Sequence, residues 1–116
     1  MYCLLGPNRA GQTKTQTLQL DVISQTRGKA QVYAKDCQKN GVEIRKHIGY
    51  LPGELALYAN MKAQDFFKMY EYLRKDKGSN GYWRELAERL DLDTTRKIRE
   101  FSRGNKQKVG VVSAFM

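Results

Sequence analysis

The sequence predicts an α/β fold in which a partial parallel sheet, flanked by helices, is followed by a helical subdomain. Three observations predict it. A glycine-containing loop joins a short apolar segment to a helical one near the N-terminus, an arrangement that favours phosphate binding. Residues 1–53 mix strand and helix patterns, whereas residues 54–103 carry helical patterns alone. We expect residues 104–116 to begin a helix that returns to the first part within a single domain.

The first part alternates predicted strands and helices. The strands are predicted at Tyr2–Leu5, Lys29–Tyr33 and Ile48–Leu51, which are short and largely apolar or β-branched. Helices are predicted at Gln12–Leu20 and, more briefly, at Val42–Lys46. Gly28 and the Lys35-Asp36 pair supply turns on either side of the middle strand.

The second part contains two amphipathic helices. Between Lys62 and Arg74, the apolar residues recur at helical spacing and define one buried face: Ala63, Phe66, Phe67, Tyr70 and Leu73. A helix from about Gly81 to Asp91 brings four residues to one side: Trp83, Leu86, Ala87 and Leu90. Ser79 or Asn80 is predicted to cap it. The last helix, from about Gly104, is predicted to carry three residues inward: Val109, Val112 and Phe115.

The loop near the N-terminus has the spacing of a phosphate-binding loop, with one departure. It reads Gly6-Pro7-Asn8-Arg9-Ala10-Gly11-Gln12-Thr13. Such loops need a glycine, four residues, a second glycine, a lysine and a hydroxyl residue. The glycines and Thr13 match, whereas Gln12 stands at the lysine position. Glutamine keeps a hydrogen-bond donor but lacks the positive charge of lysine. A hydrogen bond to a charged group is worth roughly 1.5–3 kcal/mol, or about 10- to 150-fold in affinity. We therefore expect weak phosphate binding.

Two nearby cations are weak substitutes for the missing lysine. Lys14 lies two helical positions past Gln12, which rotates its side chain by about 200°. Arg9 carries a guanidinium that is long enough to reach a phosphate.

Three motifs in order resemble those of ABC-type ATP-binding proteins. The segment Gly6–Thr13 resembles their Walker A motif, and Ile48-Gly49-Tyr50-Leu51-Pro52 is similar to the segment leading into their Q-loop. Arg9 stands where the Walker A motif of that family has a glycine, and because glycine adopts positive φ without cost, the resemblance implies strain at the arginine. The segment Phe101-Ser102-Arg103-Gly104-Asn105-Lys106-Gln107-Lys108 resembles the family signature, in a form found in bacterial exporter ATPases. The resemblance covers nearly the whole chain and implies a P-loop NTPase fold with an ABC-type helical subdomain.

The resemblance also implies a set of site residues. The nucleotide-binding residues are Gly6, Pro7, Asn8, Arg9, Ala10, Gly11, Gln12, Thr13 and Lys14, with the Thr13 hydroxyl on Mg²⁺. The signature residues are Phe101, Ser102, Arg103, Gly104 and Asn105, of which Ser102 and Gly104 match those that touch ATP held by a partner domain. Gly53 occupies the Q-loop glutamine position.

No catalytic residue is assigned. A complete domain of this family is longer, so we expect the chain to be a truncated central portion that lacks the Walker B carboxylates and the switch histidine. The sole histidine, His47, is expected at the surface rather than in that role.

The implied function is that of an ATP-binding subunit fragment that binds ATP to power transmembrane export, with catalysis impaired. ATP and Mg²⁺ are the implied cofactors, both expected to bind weakly. The implied partners are a second ABC ATPase domain and a transmembrane permease subunit, at the cytoplasmic face of the membrane. The alternative is a non-catalytic, degenerate interaction module. The transported substrate is not encoded in this segment.

Composition limits which other functional classes the chain can belong to. Lys and Arg number 21 against 12 Asp and Glu, giving a net charge of +9, so a nucleic-acid-binding protein is a third, less favoured interpretation. No recognisable nucleic-acid motif accompanies the charge, and no specific nucleic acid is expected as a partner. No apolar run approaches the roughly 20 residues that cross a membrane. Cys3 and Cys37 have no metal-ligand spacing and are interpreted as free thiols.

Overall fold

The computed structural model describes residues 6–7, 11–24, 26–74 and 81–116. In these residues the chain forms α-helices at Gln12–Gln19 (α1), Gly41–Arg45 (α2), Ala63–Arg74 (α3), Tyr82–Arg89 (α4) and Arg103–Phe115 (α5). Two short strands, Gln31–Val32 (β1) and Lys35–Asp36 (β2), and a 3-10 helix, Ile98–Glu100, complete the order. The helices α1 to α4 begin and end within two residues of their predicted bounds, and α5 begins one residue before its predicted start. The pattern of apolar residues is a local signal, which is why it locates helices well. Two compact units divide between Ile48 and Gly49.

The first unit contains an antiparallel hairpin where the sequence predicts one parallel strand. Gln31 lies opposite Asp36, and Val32 lies opposite Lys35. The turn residues Tyr33 and Ala34 both have positive φ, 52° and 59°, as in a type I′ turn. The predicted strand Lys29–Tyr33 is therefore wrong in length and partner, and the Lys35-Asp36 pair is a strand rather than a turn. The sequence lacks the Asn-Gly or Asp-Gly pair that normally marks such a turn.

Replacing Ala34 by glycine should raise the free energy of unfolding by about 1 kcal/mol. A side chain in the left-handed region costs roughly 1–2 kcal/mol, and the greater freedom of glycine in the unfolded chain offsets part of that gain. Urea denaturation followed by circular dichroism measures the change. Ala30→Gly, at a position without positive φ, is the control and should lower stability by about 0.5–1 kcal/mol. A loss of stability in both variants would contradict the prediction.

The parallel sheet is not formed by the residues that the structure describes, where the hairpin is the sheet present. Residues 48–51 are predicted as a strand, but they form no ladder. Instead, Gly49 lies against the carbonyl of Ala114, and Leu51 lies over Gly110 of α5. A segment becomes a β-strand only when it forms hydrogen bonds with a neighbouring strand. Here the apolar side of the segment packs against α5 instead. The third predicted strand, Tyr2–Leu5, lies outside the described residues.

The second unit, Gly49–Met116, packs its helices around one apolar core and is called the helical unit below. The buried members of this core are Ala63, Phe66, Phe67, Trp83, Ala87, Leu92, Ile98, Phe101, Val109 and Val112. The Phe67 ring centroid lies 5.5 Å from that of Trp83 and 5.9 Å from that of Phe66. The predicted inward faces of α3, α4 and α5 are therefore largely confirmed, with Leu86 and Leu90 half-buried against the core.

Three residues predicted to be buried are exposed. Leu73 is 64% exposed, Phe115 70% and Tyr70 37%, although the Tyr70 ring still lies 4.7 Å from that of Phe66. At about 3.6 residues per turn, position 115 lies roughly 120° around α5 from Val109, whereas position 116 lies roughly 20° away. Met116 accordingly packs on the core instead of Phe115. Leu73 lies in the last turn of α3, C-terminal to the buried residues of that helix, Ala63, Phe66 and Phe67.

Two further observations concern the start of α4 and the length of the helices. The predicted caps Ser79 and Asn80 lie outside the described residues, and Gly81, with φ 82°, directly precedes α4 without a side-chain cap. In the part of the chain that the structure describes, no helix combines the length and apolar character needed to span a membrane.

Candidate functional site

The predicted phosphate loop, residues 6–14, is called the phosphate loop below; the structure describes residues 6, 7 and 11–14 of it, and α1 begins at Gln12. Gly11 precedes the helix with φ 89° and ψ 9°, in the left-handed region that glycine adopts without strain. The Gly11 carbonyl accepts hydrogen bonds from the Thr15 amide at 2.9 Å and the Thr15 hydroxyl at 3.0 Å. The first turn of α1 contains no acidic side chain. Its free backbone N–H groups and the positive end of the helix dipole therefore favour an anion at this position.

The Gln12 side chain forms a hydrogen bond to Gly6, the first residue of the phosphate loop. Its Nε2 donates a hydrogen bond to the Gly6 carbonyl at 3.0 Å. This bond is neutral, so the position supplies a donor without the charge that lysine brings. Thr13 and Lys14 are exposed at the start of α1. Asn8, Arg9 and Ala10 lie outside the described residues, so the expectation for Arg9 stays a prediction.

Arg45 of α2 contacts the C-terminal end of α1. Nη1 of Arg45 donates to the Leu20 carbonyl at 2.9 Å and lies 3.3 Å from Oδ2 of Asp21. A Cβ on Gly41 would come 2.5 Å from the same Asp21 oxygen, so glycine at this position lets the carboxylate approach the start of α2. Arg45 and Asp21 therefore hold the helix whose other end carries the phosphate loop. Sequence reasoning missed this contact, because its members are 20 or more residues apart.

The hairpin and α2 border an open pocket of about 410 Å³, which is lined by Tyr33, Lys35, Glu43, Ile44 and His47. Lys35 donates a hydrogen bond to Glu43, and this bond, together with the lysine charge, holds the pKa of the Glu43 carboxyl below its usual value. His47 is exposed, as predicted.

The thiol of Cys37 is buried and free. Burial, followed by the charges of Asp36 and Asp21, raises its pKa, so the neutral thiol is favoured. Among the described residues, no group of three or more His, Cys, Asp or Glu side chains comes together as a metal site.

The predicted signature residues surround the N-terminus of α5 in the helical unit. Ser102 is the N-cap, and its Oγ accepts a hydrogen bond from the Asn105 amide at 3.2 Å. Phe101 is buried in the core, whereas Ser102, Arg103 and Gly104 are exposed. A Cβ on Gly104 would meet only Ser102 Oγ, at 3.9 Å. The fold therefore leaves the surface at Gly104 open and does not itself require glycine there.

Gly53, at the predicted Q-loop position, is exposed, and a Cβ added to it would meet no atom within 4 Å. It belongs to the segment that follows Gly49 in the helical unit, while the phosphate loop belongs to the first unit. The structure thus places the described site residues in both units. Those of the phosphate loop belong to the first unit, and Gly53 and the signature residues belong to the helical unit.

Comparison with known proteins identifies the class to which this arrangement belongs. The family model described as ABC transporter matches residues 1–116. The chain therefore belongs to the ABC transporter family, and the resemblance seen in the sequence is confirmed. Members of this family bind ATP, generally with Mg²⁺.

Individual relatives agree with this assignment. The chain is 34% identical to the ABC transporter ATP-binding protein YhaQ of Bacillus subtilis, over 100% of this chain and 39% of YhaQ. It is 29% identical to the bacitracin transport ATP-binding protein BcrA of Bacillus licheniformis, over 100% of this chain and 38% of BcrA. It is 24% identical to the probable multidrug ABC transporter ATP-binding protein YbhF of Escherichia coli, over 100% of this chain and 21% of YbhF. The chain thus spans about two fifths of the length of these relatives, or less.

Proposed function

We propose that this chain is the ATP-binding part of an ABC-type exporter subunit, with weak nucleotide binding and impaired catalysis. One observation carries the proposal: Gly11, in a left-handed conformation, delivers the chain into α1, whose first turn is free of acidic side chains. The Gln12 amide beside it is neutral and bonded to the Gly6 carbonyl. The loop therefore keeps backbone donors for a phosphate but lacks the charge that would make binding strong.

The residues present fit a nucleotide in part. The N–H groups at the start of α1 would hold a phosphate, and the exposed Thr13 hydroxyl would hold Mg²⁺. ATP supplies the phosphoanhydride bond whose hydrolysis drives transport in this class of protein. Ser102 and Gly104 would face a nucleotide held by a second ABC ATPase domain, and Gly53 cannot supply the side-chain amide of a Q-loop glutamine.

The organisation of the whole subunit follows from the same proposal. Residues 1–53 would form part of the nucleotide-binding core, residues 54–103 the helical subdomain, and residues 104–116 the signature helix. The partners would be a second ATPase domain and a transmembrane permease, at the cytoplasmic face of the membrane. The names of BcrA and YbhF, a bacitracin and a probable multidrug transport protein, support export as the direction.

Replacing Gln12 by lysine should strengthen Mg-ATP binding by about 10- to 150-fold, because a charge-assisted hydrogen bond to phosphate is worth roughly 1.5–3 kcal/mol. Isothermal titration of Mg-ATP into the wild type and the Gln12→Lys variant measures the change. Gln19→Lys is the matched control, since it adds the same charge at an exposed position at the other end of α1. Its affinity should equal that of the wild type.

The same titration separates the proposal from its alternative, a non-catalytic interaction module. The Gln12–Gly6 hydrogen bond favours that alternative, because it engages the side chain at the position where a phosphate-binding loop carries its lysine. Tighter binding in the Gln12→Lys variant alone supports a phosphate site. If neither the wild type nor this variant binds Mg-ATP, the nucleotide proposal is wrong and the interaction module stands.

A further inference from the structure

A short antiparallel ribbon lies on the surface of the helical unit. It consists of residues 59–64 and 94–99, and is called the cationic ribbon below. Four backbone hydrogen bonds join its two sides: Arg99 N to Ala59 O at 2.8 Å, Ile98 N to Met61 O at 3.0 Å, Ala63 N to Arg96 O at 3.2 Å and Gln64 N to Thr94 O at 2.9 Å. Ala63 and Ile98 are buried in the core beneath it. The backbone of the ribbon is therefore fixed.

The outer side of the cationic ribbon carries three cations close together. Lys62 lies directly opposite Lys97, and directly opposed side chains have Cβ atoms about 4.5–5.5 Å apart. Nη1 of Arg99, two positions after Lys97, lies 3.4 Å from Oδ1 of Asn60, two positions before Lys62. All three cations are exposed. Because like charges directly opposite each other are destabilising, this pairing costs stability when no ligand is bound.

The carboxylates next to the ribbon contact residues other than Lys62, Lys97 and Arg99. Glu100 lies 3.7 Å from Arg96, and Asp65 lies 4.0 Å from Lys68. Asp93 accepts hydrogen bonds from the amide and hydroxyl of Thr95, which lower the pKa of its carboxyl. Within the residues that the structure describes, none of the three ribbon cations forms an ion pair. Their charges are therefore available to an external anion.

We propose that the cationic ribbon binds the anionic headgroups of a phospholipid bilayer. The neighbouring exposed side chains on this side, Asn60 and Thr95, are polar and neutral. The nearest exposed aromatic among the described residues is Tyr58, one residue before the ribbon, and its ring lies 6.3 Å from that of Phe66. One such ring is neither the cluster of apolar anchors that dominates the binding of a protein partner nor the row of aromatics on which a single-stranded nucleic acid stacks. A row of cations without a pocket suits a layer of phosphate groups, and each basic residue near such a surface is worth about 1 kcal/mol.

The inference concerns a different unit from the phosphate loop and does not depend on ATP binding. It predicts that the wild-type chain co-sediments with vesicles of equal parts phosphatidylglycerol and phosphatidylcholine, but not with vesicles of phosphatidylcholine alone. A variant with Lys62→Gln, Lys97→Gln and Arg99→Gln should partition onto the anionic vesicles about 100-fold more weakly. Salt of about 1 M, which shortens the Debye length to about 3 Å, should release the wild type.

A matched variant separates a local site from net charge. Lys29→Gln, Lys39→Gln and Lys46→Gln remove the same three charges from exposed positions of the first unit, and this triple variant should bind the vesicles nearly as well as the wild type. Equal losses in the two triple variants would overturn the proposal. So would absence of wild-type binding to the anionic vesicles, or tighter ribbon-dependent binding to a DNA duplex than to the vesicles.

The thermal midpoint and the Mg-ATP affinity of the ribbon variant show whether a loss of vesicle binding comes from the missing charges or from a damaged fold. The thermal midpoint of the ribbon variant should equal or exceed that of the wild type, because the variant removes like-charge repulsion between Lys62 and Lys97. Its Mg-ATP affinity should be unchanged. A ribbon variant that keeps both its fold and its vesicle binding would disprove the inference whatever the nucleotide titration shows.

Discussion

Replacing Phe67 by alanine should lower the free energy of unfolding of the helical unit by about 3–5 kcal/mol. Phe67 is 0% exposed, and its ring packs between Trp83 and Phe66 at centroid distances of 5.5 Å and 5.9 Å. The substitution removes a large buried apolar surface and leaves a cavity that the surrounding helices fill only partly. Urea denaturation followed by far-ultraviolet circular dichroism measures the loss.

Leu73→Ala in the same helix is the control for Phe67→Ala. Leu73 is 64% exposed, so its truncation should change the free energy of unfolding by no more than about 0.5 kcal/mol. A helical pattern read from the sequence alone assigns both residues to the buried face, so the pair also tests the orientation of α3. Comparable losses in the two variants would contradict the structure of this helix.

Replacing Gly49 by alanine should destabilise the helical unit by about 1–3 kcal/mol, the usual cost of overpacking. A Cβ at this position would lie 2.0 Å from the Ala114 carbonyl oxygen and 2.9 Å from its carbon. These are backbone atoms at the end of α5, so no side-chain rotation relieves the clash, and either α5 or the segment after Gly49 has to move. Thermal and urea denaturation of the purified variant measure the cost.

Gly53→Ala is the matched control, four residues further along the same segment. A Cβ there has nothing within 4 Å, and the residue does not have positive φ. Alanine restricts the unfolded chain at such positions and should raise stability by about 0.4–1 kcal/mol. The two Gly→Ala variants are therefore expected to shift stability in opposite directions. A shift in the same direction would mean that Gly49 does not pack against α5 as the structure shows.

The helices were predictable from the sequence because their signals are local. Ala63, Phe66 and Phe67 share one helical face, and Ser102 precedes α5 as a capping residue. The hairpin was not predictable, since Tyr33 and Ala34 adopt positive φ without the glycine or asparagine that usually marks it. The strand predicted at residues 48–51 was also wrong. A short apolar run does not determine whether the segment pairs with another strand or packs against a helix, as it does here.

The candidate site was predictable as a set of motifs but not as a geometry. The order of the motifs indicated the family, which the comparisons confirm. The Gln12–Gly6 hydrogen bond depends on how the loop closes. The contact of Arg45 with Asp21 and the pairing of Lys62 with Lys97 join residues that are 24 and 35 positions apart. Neither contact leaves a periodic signal in the sequence, so only the folded chain reveals them.

The position of Trp83 gives the protein a built-in optical probe. It is the single tryptophan of the chain, it is 4% exposed, and its indole N–H has no hydrogen-bond partner among the described residues. An indole in such an apolar, water-poor setting emits at short wavelength, and its emission moves to longer wavelength when water reaches the ring. Because Trp83 belongs to the helical unit, the wavelength of the emitted light reports the unfolding of that unit.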